Sequence, residues 1–427
     1  MPKKYRLHIS LIILIALVIL SFAGYNRVSG KSNDSATAEK PSEIVLTWTD
    51  DPCTTQTISW KASSAVKDGY VRYRVADSGN ADQIKEAVVQ RFPFVQGATH
   101  AAVNCFTATL TGLKQNTRYE YTVHAGNSSL PNQFTTGAQN PESYTFLVFG
   151  DSQSGNPLRK NYEPWRIILN QGFSQYPDSR FIVCTGDLVE TGQNYDHWES
   201  WFDAVKGTLE KITFIPVPGN HETYSGLVSG GRSRPVYFLA QFPVFSNGPD
   251  NMKGEVYSFD YGQAHLVILD SQQREMGSGE FLKTQAEWLA KDLAATKKTW
   301  KIVFFHKPYF YHHDDRKNIE VRAAFSPVLD RYHADIVFNG HEHILARTYP
   351  YREGVKQADT KSGTIYYTVG RSGAKSYKEY TAREWDAFFY NPADQPCYVS
   401  VQVEPSRMII TARKQDGSQL DSYTISK

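Results

Sequence analysis

Five apolar runs of this chain end on residues able to hold a metal ion, and that repetition restricts the fold more than any other feature. "TFLVFGD" runs into Asp151, "FIVCTGD" into Asp187, and "ITFIPVPGNHE" into Asn220, His221 and Glu222. "WKIVFFHKP" reaches His306, and "ADIVFNGHEH" reaches His341 and His343. Between such runs lie segments of helical character, "EPWRIILNQGFSQY", "YDHWESWFDAV" and "FLKTQAEWLAKDLAAT". In the last, Leu282, Trp288, Leu289 and Leu293 fall near helical spacing and predict a face packed on a sheet. Strands alternating with helices indicate an α/β domain. Ligands of such sheets sit outside the carboxyl ends of the strands, so the five endings are expected to converge.

The collected residues are Asp151, Asp187, Asn220, His306, His341 and His343, with Gln153 as an addition. These are oxygen and imidazole donors without a thiolate, a set suited to Mn, Fe or Zn. A single Gly-Asp after a strand is most often a turn, and a lone histidine such as His306 is more often a structural hydrogen-bonder. Five endings in order, each after its own strand, outweigh that reading.

The chain before these motifs has another rhythm. From Glu43, short alternating segments, "IVLTWT", "TISWKA", "GYVRYRVA", "AAVNCFTATLTGL" and "RYEYTVHAG", are divided by turn-forming clusters. Such spacing over about a hundred residues predicts a β-sandwich. The tail, "CYVSVQVEPSRMIITARKQDGSQLDSYTI", reads as three strands that complete the α/β domain's sheet, with a hairpin turn at "QDGS".

The order "GD-x-Q … GD … GNHE … H-x-P … GHEH" resembles the calcineurin-like metallophosphoesterase superfamily. The stretch "LTGLKQNTRYEYTV" resembles a fibronectin type III-like domain, with a Tyr at a strand corner. Together they look most like the purple acid phosphatase branch or a bacterial relative. The implied organisation is a leader at 1–30, a linker at 31–41, a fibronectin-like all-β sandwich at 42–138 and an α/β metallophosphoesterase domain at 139–427. The resemblance implies that Asp187 bridges two metals, with Asp151 and His343 completing one site and Asn220, His306 and His341 the other. It also implies that His221 faces the substrate as the catalytic histidine, and Glu222 is expected to orient a ligand from behind. Purple acid phosphatases carry a Tyr three residues after the bridging Asp; here that position is Glu190. Other members have a His two residues after the first Asp; here that position is Gln153. An Fe(III)-tyrosinate centre is therefore not expected. Arg371, in "VGRSGAKS", is read as a phosphate contact from a glycine-rich turn. His312 and His313 either line the pocket or face solvent, and "EWDAFFYNP" reads as core packing or a lid.

The function implied is a binuclear-metal phosphoesterase acting on phosphate monoesters by attack of a hydroxide shared between the metals. The alternatives are a phosphodiesterase or nucleotide pyrophosphatase on the same site, or a cell-surface binding protein without turnover. The expected partner is a small phosphate ester. A net charge of +2 gives no field that points to nucleic acid. At the N-terminus, Lys3, Lys4 and Arg6 precede "ISLIILIALVILSFA", a basic cluster followed by an uncharged apolar run. That is the pattern of an export signal, with removal after Ala23, or of an uncleaved anchor. Either places the remainder outside the cytoplasm, as a secreted or cell-surface protein. Cys53 and Cys105 fall in one expected domain and are open to pairing there, Cys184 reads as a buried thiol, and Cys397 has no obvious partner.

Overall fold

The computed structural model describes residues 40–79, 81–94, 101–225, 233–272 and 279–427. The expected leader and all but the end of the linker lie outside them. No helix among the described residues is long and apolar enough to cross a membrane.

Residues 42–135 form eight strands in two facing layers. Ser42–Thr47, Gln56–Ser63, Val88–Arg91 and Val103–Leu110 lie in one sheet, and Gly69–Val75, Gln83–Glu86, Arg118–Ala125 and Ser128–Thr135 make the other. Alternation drives this arrangement. In Val103–Leu110 and Arg118–Ala125 every second residue is buried, and those residues meet between the sheets. Trp60 stacks on Phe106 at 5.4 Å in that core. The Tyr at the corner is Tyr119, whose hydroxyl accepts the Lys114 N–H at 2.9 Å.

Cys53 and Cys105 are not bonded; all four cysteines are free thiols. Cys105 lies opposite Lys61, near the far end of strand Gln56–Ser63, whereas Cys53 precedes that strand's start. Five strand residues therefore separate the two levels, about 17 Å, far beyond the reach of a disulfide. Cys184 is fully buried, as expected.

The first of these two sheets does not stop at the sandwich. Ser42–Thr47 runs parallel to Thr213–Pro216, with Leu46 opposite Thr213, so the sheet continues into the following residues as a ten-stranded unit. The join is fastened by a buried lysine. Lys61 Nζ meets Glu43 Oε2 at 2.5 Å, Gln241 Oε1 at 2.6 Å and the Tyr195 hydroxyl at 3.1 Å, and lies 4.1 Å over the Phe92 ring. Burial alone would favour the neutral amine, and the Glu43 carboxylate opposes that.

Two sheets also face each other in residues 144–427. In the ten-stranded sheet, Tyr144–Phe149, Phe181–Cys184 and Thr213–Pro216 are parallel neighbours. The tail strands Cys397–Val403, Arg407–Lys414 and Gln419–Ser426 extend the same sheet from the other side of Tyr144–Phe149. In the seven-stranded sheet, Ala264–Ile268, Trp300–Phe304, Ile336–Asn339 and Ile365–Val369 are parallel neighbours. Alternate residues of both sheets, including Phe146, Val183, Ile215, Ile302 and Phe338, meet in a dry core between them. The intervening residues face outward under helices. Leu147, Phe149 and Ile182 pack on Trp165, Trp198 and Trp201 of helices Glu163–Gln175 and Tyr195–Val205. Val267, Val303 and Val337 pack on Leu289, Phe325 and Leu329 of helices Glu280–Ala295 and Ile319–Tyr332.

Trp288 lies at the border of the expected helix face, half-buried and packed against the same core. The buried residues of Glu280–Ala295 are Phe281, Leu282, Gln285, Leu289 and Leu293. Trp288 sits beside that stripe, where its indole N–H donates to the Asn247 carbonyl at 2.8 Å. An amphipathic ring satisfied at its polar tip is stable at such a border. The run "EWDAFFYNP" supplies strand Asp386–Tyr390, which pairs with Leu345–Thr348 at the edge of the seven-stranded sheet.

Candidate metal centre

All five motif strands point their carboxyl ends to one rim. Three of them belong to one sheet and two to the other, so the loops that follow close over the seam between the layers. Within that seam, ligand atoms of Asp187, His306 and His341 all lie within 4.8 Å of one another. Those of Asp151, Asp187 and His343 do the same, so Asp187 belongs to both groups.

The loops achieve this by unusual backbone. Asp151, Asp187, His341 and His343 all have positive φ, at 48°, 52°, 71° and 57°. Side chains other than glycine reach this region at a cost, and such residues persist only where their surroundings hold them. Glycines beside them allow the loops to touch. A Cβ on Gly219 would stand 2.2 Å from the Asp187 nitrogen, and one on Gly340 would stand 2.7 Å from Asp151 Oδ2.

Hydrogen bonds then aim the donors. His306 Nδ1 lies 2.8 Å from the Thr185 carbonyl, which fixes its proton there and leaves Nε2 as a lone pair toward the seam. His343 Nδ1 is held likewise by the Lys375 carbonyl at 2.8 Å. The His341 N–H donates to both Asp151 oxygens at 3.0 Å. Arg316 anchors this loop through the His341 carbonyl and stacks on Tyr377. Asn220 Nδ2 donates to the Tyr224 hydroxyl at 2.7 Å, which turns its Oδ1 toward His306.

Glu222 is fully buried and works from behind. Its carboxylate accepts the N–H groups of Gly219 at 2.7 Å, Leu188 at 2.8 Å and Asp187 at 2.9 Å. One side chain thus clamps the "GD" loop to the "GNHE" loop. Burial and the neighbouring Asp187 raise its pKa, while these N–H donors favour the ionised form.

The atoms gathered are nearly all acceptors. Asp187 Oδ2 is 3.1 Å from His306 Nε2, which is 3.2 Å from Asn220 Oδ1 and 3.3 Å from His341 Nδ1. Asp151 Oδ1 is 3.3 Å from His343 Nε2. Acceptors packed this closely are relieved only by positive charge among them, whether protons or metal ions. The protonation pattern carries the same message. Burial disfavours a charged His306, yet Asp187 and Asp151 override it and push the imidazole up to about 9. His341 is driven the other way, to neutrality, by burial and then by Arg316. The donor set therefore fits a dinuclear metal centre.

Gln153 lies within this set, fully buried. Its better amide orientation gives the NH2 group to the Asp151 and Asp187 carbonyls, each at 3.2 Å. Its oxygen then occupies the position 3.3 Å from Asp187 Oδ2 and 3.4 Å from His343 Nε2. An amide oxygen facing a carboxylate and an imidazole lone pair is one more acceptor aimed at the same point. Glu190 divides its carboxylate: Oε2 accepts the Gly155 N–H at 2.8 Å, while Oε1 lies 3.6 Å from Lys375 Nζ and 3.8 Å from His221 Nδ1.

His221 sits at the mouth. Its N–H donates to Asp187 Oδ1 at 2.8 Å, and its Nδ1 lies 2.6 Å from the Glu190 carbonyl. Its Nε2 is 3.2 Å from Lys375 Nζ.

Arg371, expected as a phosphate contact, is turned inward in the structure. Its guanidinium is buried and donates to the carbonyls of Pro392 at 2.8 Å and Gly373 at 2.6 Å. The cation at the mouth is Lys375, four residues on. The clue to it was the same "VGRSGAKS" turn, but only the turn's path shows which cation faces the seam. His312 is a wall residue, with Nε2 2.9 Å from buried Asp386, and His313 is exposed.

Residues 144–345 match the family model for calcineurin-like phosphoesterase, and residues 41–136 match that for the purple acid phosphatase N-terminal domain. A purple acid phosphatase of Glycine max is 23% identical over 351 residues, 77% of this chain and 69% of that protein. The Fe(3+)-Zn(2+) purple acid phosphatase 12 of Arabidopsis thaliana is 24% identical over 341 residues, 74% of this chain and 68% of that protein. Among solved structures, purple acid phosphatase PPD1 from yellow lupin (Lupinus luteus) seeds superposes with a TM-score of 0.77 at 20% identity. That match covers 91% of this chain and 74% of the other, and shows a common fold.

Proposed function

We propose that this chain, whose residues 144–345 match the calcineurin-like phosphoesterase model and whose residues 41–136 match the purple acid phosphatase N-terminal domain, hydrolyses phosphate monoesters at the seam between its sheets and does so outside the cytoplasm. The observation that carries the reading is the convergence of two donor groups on the shared carboxylate of Asp187. In the proposed assignment Asp151, His343 and Gln153 hold one metal with Asp187, and Asn220, His306 and His341 hold the other. A pair of metals so held supplies a nucleophile activated near neutral pH and neutralises charge on the phosphoryl oxygens.

The chain's own residues do the remainder. Glu222 keeps the Asp187 loop rigid through three N–H groups, so the shared carboxylate needs no reorganisation during reaction. His221, tied to Glu190 and Asp187 on its two inner sides, presents its Nε2 edge toward the mouth, where a leaving oxygen would sit. Export rests on the basic and apolar pattern of residues 3–23.

The test is metal analysis joined to turnover. Purified protein is expected to carry about two metals per chain and to hydrolyse an aryl phosphate. Asp187→Ala is expected to lose metal and to lower hydrolysis by about 1,000-fold or more. His221→Ala is expected to keep both metals and lose turnover. Undiminished hydrolysis in Asp187→Ala would overturn the assignment, and faster turnover of a diester than a monoester would give the site to the diesterase reading.

A further inference from the structure

The loop after strand Ile365–Val369 is fastened along the first metal-binding motif. Ser372 N–H donates to the Gly150 carbonyl at 2.6 Å, Gly373 N–H to Asp151 at 2.9 Å and Ala374 N–H to Gln153 at 3.1 Å. Gly373 is required for this contact, because a Cβ there would stand 2.2 Å from the Gln153 carbonyl. Arg371 locks the turn from inside through its two carbonyl partners. Lys375 follows Ala374. Its carbonyl fixes His343, and its ammonium reaches over the mouth to His221 Nε2 at 3.2 Å and Glu190 Oε1 at 3.6 Å.

This lysine is held in place by a built loop, and its side chain keeps 23% of its exposure. The ammonium and the shared carboxylate meet the same imidazole edge, since His221 Nε2 is 3.2 Å from Lys375 Nζ and 3.9 Å from Asp187 Oδ2. A phosphoryl group seated at the metals would therefore have this cation on its open side. The hydrogen bond to His221 Nε2 uses one of the three N–H donors, and Glu190 adds only an ion pair at 3.6 Å, so the ammonium keeps donors for an incoming oxygen.

We propose that Lys375 is the specificity-determining residue of this site: it contacts a non-bridging phosphoryl oxygen and selects the dianionic phosphate monoester over the monoanionic diester. The inference rests on the phosphoesterase reading above. A monoester carries nearly two negative charges near neutral pH, a diester one. A fixed ammonium in a partly dehydrated mouth attracts the second charge strongly, whereas the two metals attract either ester. Lysine acts here as a point charge, and the loop geometry supplies its direction.

The experiment compares wild type, Lys375→Met and Lys375→Arg on an aryl phosphate monoester and the matching methyl aryl diester, with metal content measured for each. Orthophosphate binding is followed by calorimetry. Lys375→Met is expected to retain two metals and to lose about 30-fold in monoester kcat/KM, mostly through KM, but about 3-fold or less for the diester. Orthophosphate binding should weaken in parallel, and Lys375→Arg should restore most of the preference. Equal losses on both esters, or unchanged orthophosphate binding in Lys375→Met, overturn the proposal while leaving the phosphoesterase reading standing. A wild type that holds two metals and hydrolyses neither ester overturns both.

Discussion

On one side of Asp187 stand Asp151, His343 and Gln153; on the other stand Asn220, His306 and His341. Asp151 and His343 both sit on left-handed backbone, at φ 48° and 57°, and each such residue stores about 1–3 kcal/mol of strain. Across the seam, Asn220 has an ordinary helical φ of −74° and only His341 is left-handed. The donors differ as well. The first side adds a carboxylate, an imidazole and a neutral amide to Asp187, and the second adds an amide and two imidazoles. The first side thus carries two of its ligands on left-handed backbone and the second carries one, His341, whose N–H also ties it to Asp151. The lesson is that one shared carboxylate can join two sites of different charge and backbone conformation. On the proposed assignment the more anionic first side favours the harder, more highly charged ion.

The largest test of this contrast is to empty one side at a time. Asp151→Asn is expected to lose the first-side metal and keep the second, so that metal content falls from about two to about one per chain. His306→Gln is expected to do the converse. Both should lower hydrolysis by about 100-fold or more, because neither metal alone clamps both oxygens of an in-line displacement. Loss of both metals from each variant would show that the sides are one cooperative unit and break the distinction.

A smaller effect is expected at Gln153. Gln153→His replaces a weak neutral oxygen with an imidazole and should tighten the first-side metal by about 10-fold, read from chelator competition. Gln153→Leu should loosen the same metal by a similar factor and leave the second side unmoved. An equal response on both sides would mean that Gln153 acts through Asp187 and does not face one metal. The smallest effect is spectroscopic. With Glu190 in place of a tyrosine and turned to Gly155, iron-loaded protein should show no tyrosinate charge-transfer colour. A purple protein would require a tyrosine from elsewhere in the fold at the first side.

Much of this site was legible in the chain because each ligand is announced locally. A buried strand followed by glycine and a metal donor is a short-range pattern, and parallel strands carry their carboxyl ends to one rim. Glu222 was legible for the same reason, lying next to the residues it supports. Whether Cys53 and Cys105 pair stayed open in the sequence, because pairing depends on levels set by packing. Strand register places Cys105 and Cys53 five residues apart in height. The choice between Arg371 and Lys375 was also closed to the sequence, since two cations four residues apart in a glycine-rich turn look alike until the turn's path is known.

The sequence by itself determined the donor list, its order and the α/β plan, because apolar periodicity and strand-end chemistry are written within a few residues. Only the tertiary structure decided that the sandwich shares a sheet with the phosphoesterase domain, that Gln153 turns its oxygen inward, and that Lys375 covers the mouth. Each of those depends on contacts between segments distant in the chain. Leu46 meets Thr213, the Gln153 carbonyl meets Ala374, and Lys375 meets His221. Such contacts depend on how the whole core packs, and no local pattern encodes them.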